Sequence, residues 1–254
     1  MKIKNVILLA LVVVFPFRMQ AQEYKVAKNS GRLQINLGRV TVESHNGNEI
    51  IFSSKDYQDS KDDRAQGLRS INSMGLEDNT GLGINVTVKG DVVDVNQLKK
   101  MSSPDVKILV PKGMTVAYDF QSQYGGEATF RNLENEIEIS SNYNGIALEN
   151  VTGPITAKTV YGNIDATFSQ NVKGPVSIVS IYGYVDVTLP VSIKANLKMS
   201  TSYGEIFVAP DFKIEIEKQG DMIRYSDRVN GKINGGGMNI DLRADYSKIY
   251  LRKK

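Results

Sequence analysis

Gly153-Pro154-Ile155-Thr156-Ala157-Lys158-Thr159-Val160-Tyr161-Gly162-Asn163-Ile164-Asp165-Ala166 is echoed by Gly174-Pro175-Val176-Ser177-Ile178-Val179-Ser180-Ile181-Tyr182-Gly183-Tyr184-Val185-Asp186-Val187. The shared pattern is G-P-[IV]-[ST]-[AI]-x-[ST]-x-Y-G-x-[IV]-D-[AV]. Apolar residues alternate with polar ones on both sides of the Tyr-Gly pair, the period of a half-buried strand. Each unit therefore reads as two short strands around a glycine turn, with Ile155, Ala157, Ile164 and Ala166 inward in one and Val176, Ile178, Val185 and Val187 inward in the next. A unit this thin buries its apolar face only against another unit above and below. Pro154 and Pro175 stand at strand entry, where a missing amide is tolerated.

The turn recurs beyond these two units. Tyr124-Gly125, Tyr143-Asn144-Gly145, Tyr161-Gly162, Tyr182-Gly183 and Tyr203-Gly204 follow one another at steps of 19, 18, 21 and 21 residues. A step near 20 residues marks a solenoid, so the expected fold is all-β, with parallel strands stacked coil on coil. Upstream, Leu33, Ile35 and Leu37, then Val40 and Val42, Ile84, Val86 and Val88, and Val106, Ile108 and Val110 alternate in the same way. No stretch has convincing helical spacing; Val95 to Met101 comes nearest and is too short.

Three regions follow from this pattern: a leader at 1–21, an N-terminal β region at 22–113, and a repeat region at 114–254 continuous with it. Lys2 and Lys4 precede an apolar run from Val6 to Phe17, and Ala21 stands before Gln22, as in a secretory signal peptide. Residues 55–83 are polar and charged, with Leu68, Ile71, Met74, Leu76 and Leu82 as the aliphatic anchors, and read as an excursion from the solenoid, either a mobile surface loop or a cap or binding loop. Met238-Asn239-Ile240-Asp241-Leu242 and Ser247-Lys248-Ile249-Tyr250-Leu251 read as the last rungs. The tail Arg252-Lys253-Lys254 is then expected to blunt an exposed end strand.

Charge and cysteine content narrow the partners. The chain has 31 basic and 28 acidic residues, and removing Lys2, Lys4 and Arg18 with the leader leaves 28 of each. Zero net charge gives no case for nucleic acid or an anionic membrane as partner. There is no cysteine, hence no disulfide and no lipidated N-terminal Cys. No apolar run after the leader reaches the roughly 18 residues of a membrane span.

The repeats, the leader ending before Gln22, and the extended segment Val106-Lys107-Ile108-Leu109-Val110-Pro111-Lys112-Gly113 together resemble an adhesin family of exported Gram-negative envelope proteins, a domain of unknown function related to the head GIN domain adhesins. The resemblance is clearest from Tyr124 to Val208 and rests on turn and core residues. It implies a right-handed parallel β-solenoid at the cell envelope, periplasmic, outer-membrane-associated or extracellular, with an adhesive or scaffolding role.

Residues able to carry chemistry are few. His45 is the one histidine, in the turn Ser44-His45-Asn46-Gly47. With no cysteine and one histidine, neither a Cys-His pair nor a multi-His metal site can be built. Gly235-Gly236-Gly237 precedes a strand rather than a helix, unlike a phosphate-binding loop. Asp165 and Asp186 occupy equivalent positions and are expected side by side, a pairing that can hold Ca²⁺ or hydrolyse glycosides. The equivalent residues elsewhere read as Ala128, Ala147 and Phe207, and no basic partner is apparent, so the pair reads as solvated aspartates. No catalytic residue, metal ligand or cofactor is expected. Tyr124, Tyr143, Tyr161, Tyr182 and Tyr203 are expected to stack along one edge, joined by Tyr184, as a structural ladder or as a grip for a sugar or protein. The reading is a non-enzymatic envelope-binding protein for a protein or glycan surface ligand. A self-associating structural component that forms a homo-oligomer is the alternative, and a carbohydrate-active β-helix enzyme comes third.

Overall fold

The structure is a computed structural model that describes residues 23–54, 64, 68, 71–217 and 227–254. The leader at 1–21 and much of the 55–83 excursion lie outside the described residues. The rest is all-β, in two long mixed sheets whose inner faces share one apolar core from Leu33 to Leu251.

Sheet A runs β1 (Glu23–Val26), β4 (Ile50–Ser53), β7 (Val106–Pro111), β3 (Val40–His45), β9 (Glu127–Arg131), β11 (Gly145–Val151), β13 (Ile164–Phe168), β15 (Val185–Leu189), β21 (Ile249–Lys253) and β17 (Ile206–Val208). Sheet B runs β18 (Ile214–Ile216), β19 (Asp227–Ile233), β16 (Ala195–Thr201), β20 (Met238–Ala244), β14 (Val176–Ser180), β12 (Ile155–Thr159), β10 (Ile137–Ser141), β8 (Met114–Phe120), β2 (Gly31–Asn36), β6 (Val92–Gln97) and β5 (Ile84–Lys89). The central strands are parallel and in register: Ile137 lies beside Ile155 and Ile155 beside Val176 in sheet B, as Ile146 beside Ile164 and Ile164 beside Val185 in sheet A.

The eight residues expected inward are all buried, none more than 3 % exposed. Burying an Ile or Val contributes about 1.5–3 kcal/mol, so the stack of apolar rungs is the main source of stability. Rungs are also tied through the backbone where the strands begin: Ile137 N–H donates to Pro154 O and Ile155 N–H to Pro175 O, both at 3.0 Å. Of the upstream alternating residues, Val88 alone faces solvent, near the end of the edge strand β5.

The order of rungs departs from the order of the chain at both ends. The expectation that the C-terminal strands close the stack is wrong. The β20–β21 rung is interior, with β14 and β15 on one side and β16 and β17 on the other. Ile240 and Leu242 sit between Val176 and Ile178 on one flank and Leu197 and Met199 on the other. The chain leaves β15, builds an outer rung with β16 and β17, adds β18 and β19, and returns through the gap. Each interposed strand thereby pairs on both edges, which satisfies donors and acceptors that a terminal rung would leave open. The basic tail accordingly blunts no exposed edge: Arg252 binds Asp186, Lys253 binds Asp211, and Lys254 donates to Phe168 O. At the other end, β2 lies between β6 and β8, and β3 between β7 and β9, so the first rung is interposed in the same manner.

In the described part of the excursion, Asn72 accepts the Met74 and Leu76 amides, Asn79 pairs with the Val86 backbone, and one carboxylate gathers the turn before β5. Asp78 accepts from the Thr80, Gly81 and Gly83 amides and from the Thr80 hydroxyl at 2.8–3.0 Å. Of its expected anchors, Leu82 enters the core, while Leu68, Ile71 and Met74 are more than 60 % exposed.

Candidate functional site

The edge where sheet B strands turn into sheet A strands is built by one repeated device. A buried hydroxyl at the end of the first strand accepts the amide three residues on. Ser141 serves Asn144 (3.3 Å), Thr159 serves Gly162 (3.2 Å), Ser180 serves Gly183 (2.9 Å) and Thr201 serves Gly204 (2.8 Å). The hydroxyl then donates to the neighbouring rung: Ser180 to Gly162 O at 2.8 Å, Ser141 to Phe120 O at 3.2 Å. At Gly162 and Gly204 close approach demands glycine, since a Cβ would stand 1.8 Å from Asn144 O and 1.7 Å from Ser247 O respectively.

Backbone bonds between rungs fix the tyrosines on this edge. The amides of Tyr161, Tyr182, Tyr246 and Tyr203 each donate to a carbonyl of the adjacent rung at 2.7–2.9 Å. The rings then repeat at strand spacing. Tyr143, Tyr161, Tyr182, Tyr246 and Tyr203 stack in that order, with centroids 5.1, 5.0, 4.9 and 5.0 Å apart and planes within 17° of parallel. Their exposures are 45, 54, 50, 52 and 73 %.

Membership of this ladder differs from the expectation in three ways. Tyr203 does not touch Tyr182, because Tyr246 stands between them on the interposed rung. Tyr246 escaped the motif because Ala244 replaces the capping hydroxyl and Ser247 replaces the glycine. The alternation of Ile240 and Leu242 before it and Ile249 and Leu251 after it was the available signal. Tyr124 is 46 % exposed and lies outside the stack, at a turn where Gly125 packs against the Asn144 side chain. Tyr184 also lies outside it. One residue past Gly183, it points over sheet A, donates its hydroxyl to Asp165 (3.0 Å) and meets Tyr250 edge-on at 6.2 Å.

Asp165 and Asp186 are register partners on β13 and β15, as expected. Their column continues through Ala147 to Thr129 on one side and through Tyr250 to Phe207 on the other, so Thr129, not Ala128, is the equivalent residue; Ala128 is buried. A basic partner exists after all: Arg252 Nε donates to both Asp186 oxygens at 2.8 and 2.9 Å and lies 5.2 Å from the Tyr250 ring centre. It was invisible in the repeats because it arrives on the interposed strand β21. The Asp165 carboxyl sits above its ordinary value, chiefly because its surroundings strip water from it; the Tyr184 hydroxyl acts against that rise and the Asp186 charge adds to it.

His45 closes its own turn. Its Nδ1 accepts the Gly47 amide at 3.2 Å, and its Nε2 faces Glu49 O at 2.8 Å. Among the described residues, no cluster of three or more His, Cys, Asp or Glu side chains is arranged to hold a metal ion. On the opposite edge, a shallow polar cleft of about 340 Å³ is lined by Asn132, Asn150, Ser169 and Lys173, among others. Its asparagines serve the turns first: Asn132 and Asn150 hold φ of 54° and 53°, and their amides bond each other at 2.8 Å.

The fold and this edge define a class, that of solenoid-like repeat proteins with an exposed tyrosine edge. The sequence model of the Toastrack DUF4097 family, a domain of unknown function, matches residues 131–245. That is a little under half of the chain. A solved structure named a putative cell adhesion protein, from Clostridium sporogenes ATCC 15579, is similar at 13 % identity and a TM-score of 0.48, covering 92 % of this chain and 100 % of that one. No curated protein matches the chain.

Proposed function

We propose that this chain is an exported, non-enzymatic binding protein of the cell envelope, a right-handed β-solenoid with coils of roughly 20 residues that holds an extended surface polymer along its tyrosine edge. The observation that carries this reading is the ladder itself: five adjacent phenol rings, each at least 45 % exposed, in one continuous stack. Stacking seals most of the ring faces, so a sugar cannot lie flat on them. What remains outward is a row of ring rims and hydroxyls repeating every 4.9–5.1 Å. Such a row suits a ligand whose own hydroxyls repeat over a similar distance, and an extended glycan is that class. The site is open rather than enclosed, and both nitrogens of His45 are engaged in its turn, which supports a binding role over catalysis.

The test is retention of the mature chain on a panel of immobilised polysaccharides, with the length of any bound glycan recorded. The expected result is retention with the glycan intact. Combining Tyr161→Phe, Tyr182→Phe and Tyr246→Phe should weaken retention at least about tenfold without changing the melting curve, because the rings stay and the hydroxyls go. Shortened glycan would replace this reading with an enzyme centred on Asp165 and Asp186.

One observation favours self-association as a second reading. Strand β17 is the edge of sheet A, its Phe207 and Val208 are 44 and 36 % exposed, and Tyr203 ends the ladder with one stacked neighbour. An uncharged open edge is a template for another chain. Light scattering showing a defined oligomer, dispersed by Phe207→Lys, would establish that reading.

A further inference from the structure

We propose that the tyrosine ladder is a site of oxidative cross-linking, in which a peroxidase-type one-electron oxidation joins neighbouring rungs through dityrosine. This follows from the geometry alone and does not depend on the ligand of the edge. Four pairs of phenols are held with centroids 4.9–5.1 Å apart and planes within 17° of parallel, so two radicals formed there need no diffusion to meet. All five rings are at least 45 % exposed and open to an oxidant. The chain has no cysteine and no tryptophan to quench the radical first; its methionines take up oxygen rather than couple.

The reaction balances with hydrogen peroxide as oxidant. Each phenol loses one electron and its hydroxyl proton. The two radicals pair their odd electrons in a bond between ortho ring carbons (Cε1 or Cε2). Each ring then shifts the hydrogen of its coupled carbon to its oxygen and regains the phenol. The peroxide takes up the two electrons and two protons and leaves as two waters.

The ladder order makes the products specific. Links are expected at Tyr143–Tyr161, Tyr161–Tyr182, Tyr182–Tyr246 and Tyr203–Tyr246. Those through Tyr246 join the interposed C-terminal rung to both of its neighbours, a covalent tie that a chain without cysteine cannot make by disulfide. Tyr182 and Tyr203 should not link, although the motif makes them successive.

The experiment treats dilute folded protein with a haem peroxidase and limiting peroxide, isolates the chain at monomer mass, and maps cross-linked peptides by mass spectrometry alongside dityrosine fluorescence. The expected result is monomer in which the four ladder pairs predominate, whereas the same treatment in urea spreads links over all twelve tyrosines. Tyr182→Phe, which keeps the stack, should leave Tyr143–Tyr161 and Tyr203–Tyr246 as the remaining pairs. Absence of dityrosine from the folded monomer, a pattern matching that in urea, or a prominent Tyr182–Tyr203 link would each overturn the proposal.

Discussion

Ser180 illustrates how much one hydroxyl holds in this fold. It is fully buried, accepts the Gly183 amide and donates to Gly162 O, so it joins the turn to itself and to the next rung. Ser180→Ala leaves both partners buried and unpaired, and is expected to cost about 1–3 kcal/mol in urea unfolding. Gly162→Ala should cost at least as much, because its Cβ would meet backbone, not a flexible side chain, at 1.8 Å. Asp165 gives a prediction of the opposite sign. Its native pKa lies above the ordinary 3.8, so folding takes up a proton there. The carboxylate therefore costs stability above its native pKa, and the cost disappears as pH falls through that range toward and below 3.8. Asp165→Asn, which can still accept from Tyr184, should raise Tm slightly at pH 7, by no more than about 2 °C for so exposed a group, and not at all near pH 3.

Single rungs are where sequence order and spatial order part. A terminal rung frays, but one paired on both edges does not. The amides of Ile240, Leu242 and Leu251 are therefore expected to exchange with solvent as slowly as those of Ile178 and Val187, measured by native-state hydrogen exchange. Fast exchange across β20 and β21 would contradict the interposed position. Ending the chain at Gly237 should do more than remove a cap: it opens β14 and β15 on one side and β16 and β17 on the other. The expected outcome is loss of a cooperative thermal transition, seen by circular dichroism. The Tyr182-to-Tyr203 step of 21 residues equals the Tyr161-to-Tyr182 step, so spacing carried no trace of the interposed rung. Strand pairing is decided by which edge offers donors, acceptors and matching apolar residues, and a returning segment can meet those demands as well as the next one in line.

At the scale of the whole molecule, the eleven strands of sheet B among the described residues, about 4.8 Å apart, span about 50 Å, so small-angle scattering should show an elongated particle. Its faces carry mixed ion pairs, such as Arg32 with Glu138 and Lys198 with Asp241, while one edge carries the tyrosines. The sequence by itself determined the all-β class, the inward residues of each repeat, the Tyr-Gly turns and the pairing of Asp165 with Asp186. All of these follow from alternation, turn chemistry and equal spacing between adjacent repeats, which are local. Tertiary structure alone decided that the last rung is interior, that Tyr246 completes the ladder and Tyr184 leaves it, and that Arg252 meets Asp186. Each depends on contacts between segments far apart in the chain, where the free energy of pairing two open strand edges outweighs the order in which the strands were made.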